Sequence, residues 1–142
     1  MLLDGNSLTY RAFFALPTTM ATASGQVTNA VYGFTSMLVN LIKEHHPDQL
    51  VVAFDRPEPT FRHEMIPSYK ATRSEAPDIL RQQMGLVRQL VDTMRIPVVE
   101  APGFEADDVL ATLATKAAAA GDDVIVVTGD RDACLLYTSR CV

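Results

Sequence analysis

Seven carboxylates occupy positions from which they could share a metal ion. Three of them crowd the segment from Gly103 to Asp108, directly before a run of apolar residues that predicts a helix. Any one of these three could simply cap that helix, because acidic side chains in a first turn complement the positive end of the helix dipole. The full set is Asp4, Asp55, Glu105, Asp107, Asp108, Asp130 and Asp132. Their role therefore depends on whether the fold brings them together.

Short apolar runs alternate with helical patterns along the chain. The apolar runs lie at 1–4, 50–54, 96–100 and 124–128, and helices are predicted over about 8–15, 29–46, 77–94 and 106–120. This alternation predicts a three-layer α/β/α fold with a central, mainly parallel sheet. The apolar runs hardly alternate with polar residues, as is typical of parallel strands buried on both faces. A chain of 142 residues is expected to form one domain.

Acidic residues follow the predicted strands. Asp4, Asp55 and Asp130 stand at or just after strand ends, and the acids of 105–108 follow another strand end by a few residues. In an open parallel sheet, ligands bind outside the carboxyl ends of the strands. We therefore expect all seven carboxylates at one rim of the sheet. Each alone could be a turn former or a cap, but that explanation does not account for acids at nearly every strand end on one edge.

A cluster of this kind predicts a hard divalent cation. Crowded carboxylates repel and raise one another's pKa values, and a bound cation removes that conflict. Carboxylates and water suit Mg²⁺ or Mn²⁺, and few histidines or cysteines are placed to compete for zinc. Such ions support phosphodiester hydrolysis, which needs no serine or cysteine nucleophile.

Basic and aromatic residues concentrate in the middle of the chain. The net charge of −5 would by itself argue against a nucleic-acid partner. However, the aperiodic stretch from Glu58 to Pro77, which we interpret as an exposed loop, contains Phe61, Arg62, His63, Tyr69, Lys70 and Arg73. This mixture is typical of a surface that follows a phosphate backbone and stacks on exposed bases. Arg11, soon after the first acid, could add a phosphate contact.

Three further arginines recur at a spacing of seven: Arg81, Arg88 and Arg95. They would lie on one stripe of the predicted helix, and we interpret that stripe as a solvated face rather than a binding surface. Cys134 and Cys141 fall in the last residues and indicate neither a disulfide framework nor a zinc site. The chain has no apolar run long enough to span a membrane and no secretory signal, so we expect a cytoplasmic protein with no membrane partner.

The ordered motifs resemble those of a known family. The segments are 3–7 with 10–12, 28–34, 53–55, 60–63, 69–73, 103–108 and 128–132. They are similar to the N-terminal 5′-nuclease domain of bacterial DNA polymerase I, within the flap endonuclease family, which has a PIN-like fold. The resemblance implies a magnesium-dependent 5′-3′ exonuclease and structure-specific 5′-flap endonuclease acting in replication and repair. It also implies substrates such as flapped, nicked or gapped DNA and RNA–DNA primer junctions, with polymerase domains in the same full-length protein.

The resemblance also implies roles for individual residues. The seven acids take the positions of the family's metal ligands, for two Mg²⁺ or Mn²⁺ ions in the full-length domain. Lys70, Arg73 and Arg11 match basic residues that hold the scissile phosphate, and Tyr69 matches a tyrosine that stacks on a nearby base. Arg62, Phe61 and His63 belong to the same substrate-binding segment.

The match covers 1–132, and we expect 133–142 to be a non-matching tail. In the family, the sequence after the Gly-Asp-Arg-Asp motif supplies further metal-binding aspartates and a duplex-binding element. The first strand also looks clipped. We therefore expect a fold incomplete at both ends and a fragment with weak or no activity alone.

Two alternatives remain at this point. One is a magnesium-dependent haloacid-dehalogenase-like phosphatase, although Asn6 stands where a second acid would be needed. The other is a catalytically silent nucleic-acid-binding fragment.

Overall fold

The computed structural model describes residues 1–71 and 75–136, with side chains to Ala133. Four strands are present in these ranges: β1 (Leu2–Asp4), β2 (Val51–Ala53), β3 (Val98–Val99) and β4 (Val126–Val127). The helices are α1 (Gly5–Ala15), α2 (Asn29–His45), α3 (Phe61–Met65), α4 (Asp78–Thr93) and α5 (Ala106–Ala120), followed by a 3-10 helix at Arg131–Leu136. None of the helices in the described ranges is long and apolar enough to cross a bilayer.

All strand pairs in the described sheet are parallel, which confirms the predicted α/β class. The strand order is β3-β2-β1-β4. In the register, Leu3 lies opposite Val52 on one side and Val127 on the other. The chain moves outward from β1 through β2 to β3 and then returns to the other side of β1 as β4. The carboxyl ends of β1 and β4 therefore flank the point where the strand order reverses, the usual ligand site of such sheets.

Helices cover both faces of the sheet, as predicted. Because successive strand residues point to opposite faces, Leu3 and Val52 join a core with α2 and α4, whereas Leu2 and Ala53 pack against α5. On the α1 and α2 side the helices approach closely: a Cβ on Gly33 would lie 2.8 Å from Ala12 Cβ. The structure is thus a layer of α1, α2 and α4, the sheet, and a layer containing α5.

Several element boundaries differ from the sequence prediction. Helix α1 begins at Gly5 rather than near residue 8, because Asp4 accepts a hydrogen bond from Ser7 N at 2.9 Å and caps the helix immediately after β1. The strands are also shorter than the apolar runs that predicted them, since the ladder covers only the residues facing a neighbouring strand. Helix α5 spans Ala106–Ala120 as predicted and ends at Gly121, which has a φ of +94°.

The stretch from Glu58 to Pro77 is not entirely a loop, and that prediction was wrong in part. It contains the five-residue helix α3, which Thr60 precedes. Thr60 N donates to His63 Nδ1 at 3.2 Å, and Thr60 Oγ1 lies 3.0 Å from the same nitrogen. A single turn fixed by a local cap is too short to produce a hydrophobic period.

A buried polar network joins the three helices α1, α2 and α4 within their layer. Asn29 Nδ2 donates to the carbonyl oxygens of Phe13 and Leu16, both at 2.9 Å. Gln83 Nε2 donates to Asn29 Oδ1 at 2.9 Å, and Gln83 Oε1 accepts from Ala30 N at 2.8 Å. Asn29 and Gln83 are almost completely buried. The network joins the end of α1, the start of α2 and the middle of α4.

Gln83→Ala is expected to lower the free energy of unfolding by about 2–4 kcal/mol, because it leaves the Ala30 amide and the Asn29 carboxamide oxygen buried without these partners. Urea unfolding followed by circular dichroism measures the change. Gln82→Ala is the matched control, since Gln82 is the exposed neighbour on the same helix. Equal effects of the two substitutions would contradict the role given to the network.

Candidate active site

A cleft of about 580 Å³ lies at the carboxyl ends of the strands. Five of the seven predicted acids line it, together with polar and aromatic residues from α1: Asp4, Asp55, Glu105, Asp107 and Asp130, with Asn6, Ser7, Tyr10 and Phe14. The predicted convergence of acids therefore holds for these five. Asp108 and Asp132 are not among the residues that line the cleft.

Asp4 is the last residue of β1 and is only 4% exposed. Its Oδ1 accepts from Ser7 N and its Oδ2 accepts from Thr128 Oγ1, each at 2.9 Å. Burial raises the pKa of Asp4, the two hydrogen bonds oppose that rise, and the charges of Asp55 and Asp130 add to it. The Asp4 carboxylate is thus fixed in orientation while its negative charge remains incompletely compensated.

Asp55 follows β2 and is held by groups from three directions. Its Oδ1 accepts from Ala106 N at 2.7 Å, at the start of α5. Its backbone N donates to Asn6 Oδ1 at 3.3 Å. Its backbone oxygen accepts from Arg88 Nη2 at 3.1 Å. These bonds set the position of a residue that lies beyond the end of the strand ladder.

Asp107 faces the cleft from the first turn of α5. Burial, followed by the charges of Asp4, Asp130, Asp55 and Glu105, raises the pKa of Asp107 to about 6. The helix dipole favours a carboxylate at a helix N-terminus, yet burial and the neighbouring negative charges together still raise the pKa of Asp107. Asp107 therefore lies among the other acids of the cleft.

Asp108, on the same helix turn, is paired with a cation instead. Arg62 Nη1 and Nη2 donate to its two carboxylate oxygens, each at 2.7 Å, and Glu105 N donates to Asp108 Oδ2 at 3.0 Å. The hydrogen bond from Arg62 lowers the pKa of Asp108. Both oxygens of Asp108 accept hydrogen bonds, and its pair with Arg62 joins α5 to α3.

Asp130 and Asp132 follow β4 in the turn that leads to the 3-10 helix. Asp130 N donates to Thr128 Oγ1 at 3.0 Å, and Gly129 N donates to Ser7 Oγ at 2.8 Å. Asp132 N donates to Asp130 Oδ1 at 2.9 Å, and Asp132 itself is exposed. The turn is thereby fastened to α1, with Asp130 turned to the cleft and Asp132 further out.

The cluster is open rather than a ready-made cage. Among the side chains of residues 1–71 and 75–133, no three or more His, Cys, Asp and Glu are arranged to hold a metal ion directly. The donor set nevertheless fits a hard cation, because it consists of carboxylates and because burial and mutual repulsion raise the pKa values of Asp4 and Asp107. Mg²⁺ keeps several waters and needs few protein ligands.

The basic and aromatic residues meet the acids at the edge of the cleft. Lys70 lines the cleft and has a φ of +57°, a rare value for a residue other than glycine. Lys70 Nζ donates to Glu105 Oε1 at 2.7 Å, and Tyr69 OH donates to Glu105 Oε2 at 3.3 Å. The predicted substrate-binding segment therefore contacts one of the predicted metal ligands.

The other predicted substrate residues lie around this contact. The His63 ring packs edge-on to Tyr69 with centroids 5.3 Å apart, and Phe61 packs against Phe104 at 5.6 Å. Arg11 is exposed on α1, where its side chain passes close to Gly129, and it does not line the cleft. Arg73 lies outside the described residues.

Sequence reasoning missed several residues that hold the site. Ser7 and Thr128 fix Asp4 and the turn after β4. Only their closeness in sequence to Asp4 and Asp130 could have indicated this role. Arg88 was interpreted as part of a solvated stripe, and the structure corrects this: its guanidinium lies 4.6 Å above the Phe54 ring and pairs with Glu100. Arg81 fits the solvated interpretation, since it pairs with the exposed Asp78.

The whole chain, residues 1–142, matches the family described as the 5′-3′ exonuclease, N-terminal resolvase-like domain. It is 51% identical over 139 residues to DNA polymerase I of Mycobacterium tuberculosis, and the aligned region covers 97% of this chain and 15% of that protein. It is 45% identical over 131 residues to the 5′-3′ exonuclease of Aquifex aeolicus, covering 92% and 45% of the two chains. The chain thus spans about a seventh of the length of the polymerase relatives it matches.

Solved structures share the fold. The bacteriophage T5 5′-exonuclease with bound zinc matches with a TM-score of 0.67 at 24% identity, covering 97% of this chain and 51% of that one. The T5 flap endonuclease in a complex with DNA and metal ions matches with a TM-score of 0.70 at 22% identity, over the same shares of each chain. This similarity confirms a fold of the PIN-like 5′-nuclease type.

Asp107→Asn is expected to stabilise the metal-free chain at pH 7. Because folding raises the pKa of Asp107 from its ordinary 3.8 to about 6, the stability that this group contributes below pH 4 is lost as the pH rises through 6. Removing the charge should therefore raise the free energy of unfolding at pH 7 by roughly 1 kcal/mol, allowing for solvent screening. Urea unfolding at pH 5 and pH 7 with a chelator measures both the gain and the smaller pH dependence.

The neighbouring substitution Asp108→Asn is the control with the opposite sign. Arg62 lowers the pKa of Asp108, so the ionised form stabilises the fold above pH 4, and its loss should destabilise the chain at pH 7. The interpretation of the cleft fails if Asp107→Asn destabilises the chain as Asp108→Asn does.

Proposed function

Because the chain belongs to the 5′-3′ exonuclease, N-terminal resolvase-like domain family, we propose that it is a nuclease domain that hydrolyses phosphodiester bonds at the 5′ ends of DNA strands. The observation that carries the proposal is the cleft at the carboxyl ends of β1, β2 and β4. Five carboxylates line it, and Lys70 stands at its edge. Acids for a metal and a cation for a phosphate are the two parts that metal-assisted phosphoryl transfer requires.

The proposed cofactor is Mg²⁺ or Mn²⁺, with two ions in a full-length domain. Asp4, Asp55, Asp107, Asp130 and Glu105 are the residues that would hold it, and Asp108 and Asp132 would support it from further out. When bound, such an ion would activate a water and offset the charge that develops on the phosphate. The all-oxygen donor set supports this choice, as do the metal ions in the T5 nuclease structures.

The chain's own residues would bind and orient the scissile phosphate. Lys70, Arg73 and Arg11 are the proposed phosphate contacts. Lys70 already reaches the edge of the cleft, where it donates to Glu105. An arriving phosphate would present a further anionic partner to the same ammonium group, so Lys70 would bridge the phosphate and the acid cluster.

Tyr69 and the residues near it would bind the bases next to the scissile phosphate. These residues make two contacts between neighbours of one segment: His63 packs against Tyr69, and the Arg62 guanidinium lies 4.6 Å above the Phe61 ring. Aromatic side chains beside cations suit single-stranded nucleic acid, because bases stack regardless of sequence. The proposed substrates are 5′ flaps, nicked or gapped duplexes and RNA–DNA primer junctions.

The polymerase relatives extend this proposal to the whole protein. Since the chain corresponds to 15% of their length, we propose that polymerase domains act in the same polypeptide and that the nuclease serves DNA replication and repair. The family match does not favour the phosphatase alternative or a silent binding fragment. Asn6, at the position where that phosphatase would need an acid, instead accepts a hydrogen bond from Asp55 N.

Cleavage of a labelled 5′-flap duplex in the presence of Mg²⁺ tests the proposed activity. The wild-type chain is expected to release the flap slowly, as a fragment of weak activity, when enzyme is in excess over DNA. Asp107→Ala is expected to reduce that rate at least about a hundredfold, because it removes a ligand from the centre of the cleft. Asp122→Ala, in the exposed turn after α5, is the control and should cleave like the wild type. Hydrolysis of small phosphate esters without flap cleavage would sink the nuclease proposal.

Lys70→Met separates phosphate binding from metal binding. Cleavage should fall, since the proposed phosphate contact is lost, whereas affinity for Mn²⁺ should rise about threefold to tenfold because Glu105 no longer shares its charge with a lysine. Isothermal titration calorimetry without DNA measures the second effect. Weaker Mn²⁺ binding by Lys70→Met would show that the Lys70–Glu105 pair supports the metal site rather than competing with it.

A further inference from the structure

Asp55 is positioned from outside the cleft. Strand β2 ends at Ala53, and the last backbone bond to the neighbouring strand is from Phe54 N to Val99 O at 3.2 Å. Asp55 therefore lies one residue beyond the sheet hydrogen bonds that would hold a strand residue in place. Its backbone groups are bonded by the side chains of Asn6 and Arg88 instead.

Arg88 reaches Asp55 from the middle of α4. Its Nη2 donates to the Asp55 carbonyl oxygen at 3.1 Å, its Nη1 pairs with Glu100, and its guanidinium carbon lies 4.6 Å from the centre of the Phe54 ring. A planar guanidinium can satisfy these three partners at once, which a lysine ammonium matches less well. Arg88 thus bonds Asp55 while two other groups, Glu100 and the Phe54 ring, fix its own orientation.

The Phe54 ring, on which the Arg88 guanidinium stacks, also packs against Gly5, the residue that follows Asp4. Phe54 is fully buried, and a Cβ on Gly5 would lie 2.4 Å from its ring. The ladder places Asp4 opposite Ala53, and the contacts of Phe54 with Arg88 and Gly5 extend the packing of this edge one residue further, to the point where Asp55 leaves the sheet.

We propose that Arg88 is a positioning residue that holds Asp55, and with it the Asp4–Asp55 spacing, in the geometry that binds a divalent cation. This inference rests on the proposed function only in taking Asp55 as a metal ligand. Arg88 does not line the cleft, so it acts through Asp55 and Phe54 rather than on the substrate. Arg81, on the same helix and the same stripe, pairs with Asp78 and Glu75 and makes no described contact with Asp55.

Mn²⁺ binding by the 142-residue chain tests the proposal. It is measured by calorimetry or by the electron paramagnetic resonance signal of free Mn²⁺. Arg88→Met is expected to raise the Mn²⁺ dissociation constant about tenfold, in the range found when groups that orient metal ligands are removed. Arg88→Lys keeps a cation for Glu100 and a donor for the Asp55 carbonyl, and should recover part of the affinity. Arg81→Met is the matched control and should bind like the wild type.

The outcomes distinguish a positioning role from a structural one. If Arg88 only stabilises the fold, urea unfolding will shift while the Mn²⁺ affinity of the folded chain stays unchanged, and the proposal is overturned. It is also overturned if Arg81→Met weakens binding equally or if the wild-type chain binds no Mn²⁺. Should Arg88→Met fail to fold, the affinity of Arg88→Lys decides, since a value equal to that of the wild type contradicts the role of the stacked guanidinium.

Flap cleavage by the same variants separates this inference from the proposed function. If the wild type cleaves and Arg88→Met binds Mn²⁺ normally, the nuclease proposal stands and the positioning role is wrong. If the wild type binds Mn²⁺ but leaves flaps intact, while Arg88→Met loses affinity, the positioning role stands and the nuclease proposal fails.

Discussion

Crowding of carboxylates at the carboxyl edge of the sheet is the constraint on which the rest of the structure depends. Parallel pairing of β1 with both β2 and β4 brings three strand ends to one edge. Strands pack about 4.8 Å apart, so acids that follow them repel at short range. Burial raises the pKa values of Asp4 and Asp107, and the repulsion between neighbouring acids adds to that rise. Folding therefore has to supply partners for most of these charges.

The partners are divided between two parts of the molecule. Backbone amides and hydroxyl groups from the elements around the cleft orient Asp4, Asp55 and Asp130 without neutralising them. Cations from α3 and the segment after it neutralise two acids at the start of α5, Asp108 through Arg62 and Glu105 through Lys70. Negative charge thus remains concentrated around Asp107 in the cleft, and positive charge collects at its edge. A metal phosphodiesterase needs this separation, because the ion and the phosphate must bind side by side.

The sequence predicted the parts that depend on local pattern. Apolar runs followed by acids located the rim, and the change from acids to apolar periodicity located the start of α5 correctly at Ala106. Long-range partners were beyond prediction: Arg62 and Asp108 are 46 residues apart, and nothing local marks the pair. Arg88 was hidden for a related reason, since a stripe with a spacing of seven looks the same whether or not one member stacks on a buried ring.

Helix α4 links the stability of the helical layer to the geometry of the cleft. Gln83 fastens the helix to α1 and α2 through Asn29 and the Ala30 amide. Leu80, Val87 and Val91 are fully buried along the same helix. Arg88 projects from this anchored segment toward Asp55. A side chain can position a ligand only as precisely as its own backbone is fixed, so the buried network is part of what orients the acid. The helical layer of α1, α2 and α4 thereby contributes to the orientation of Asp55.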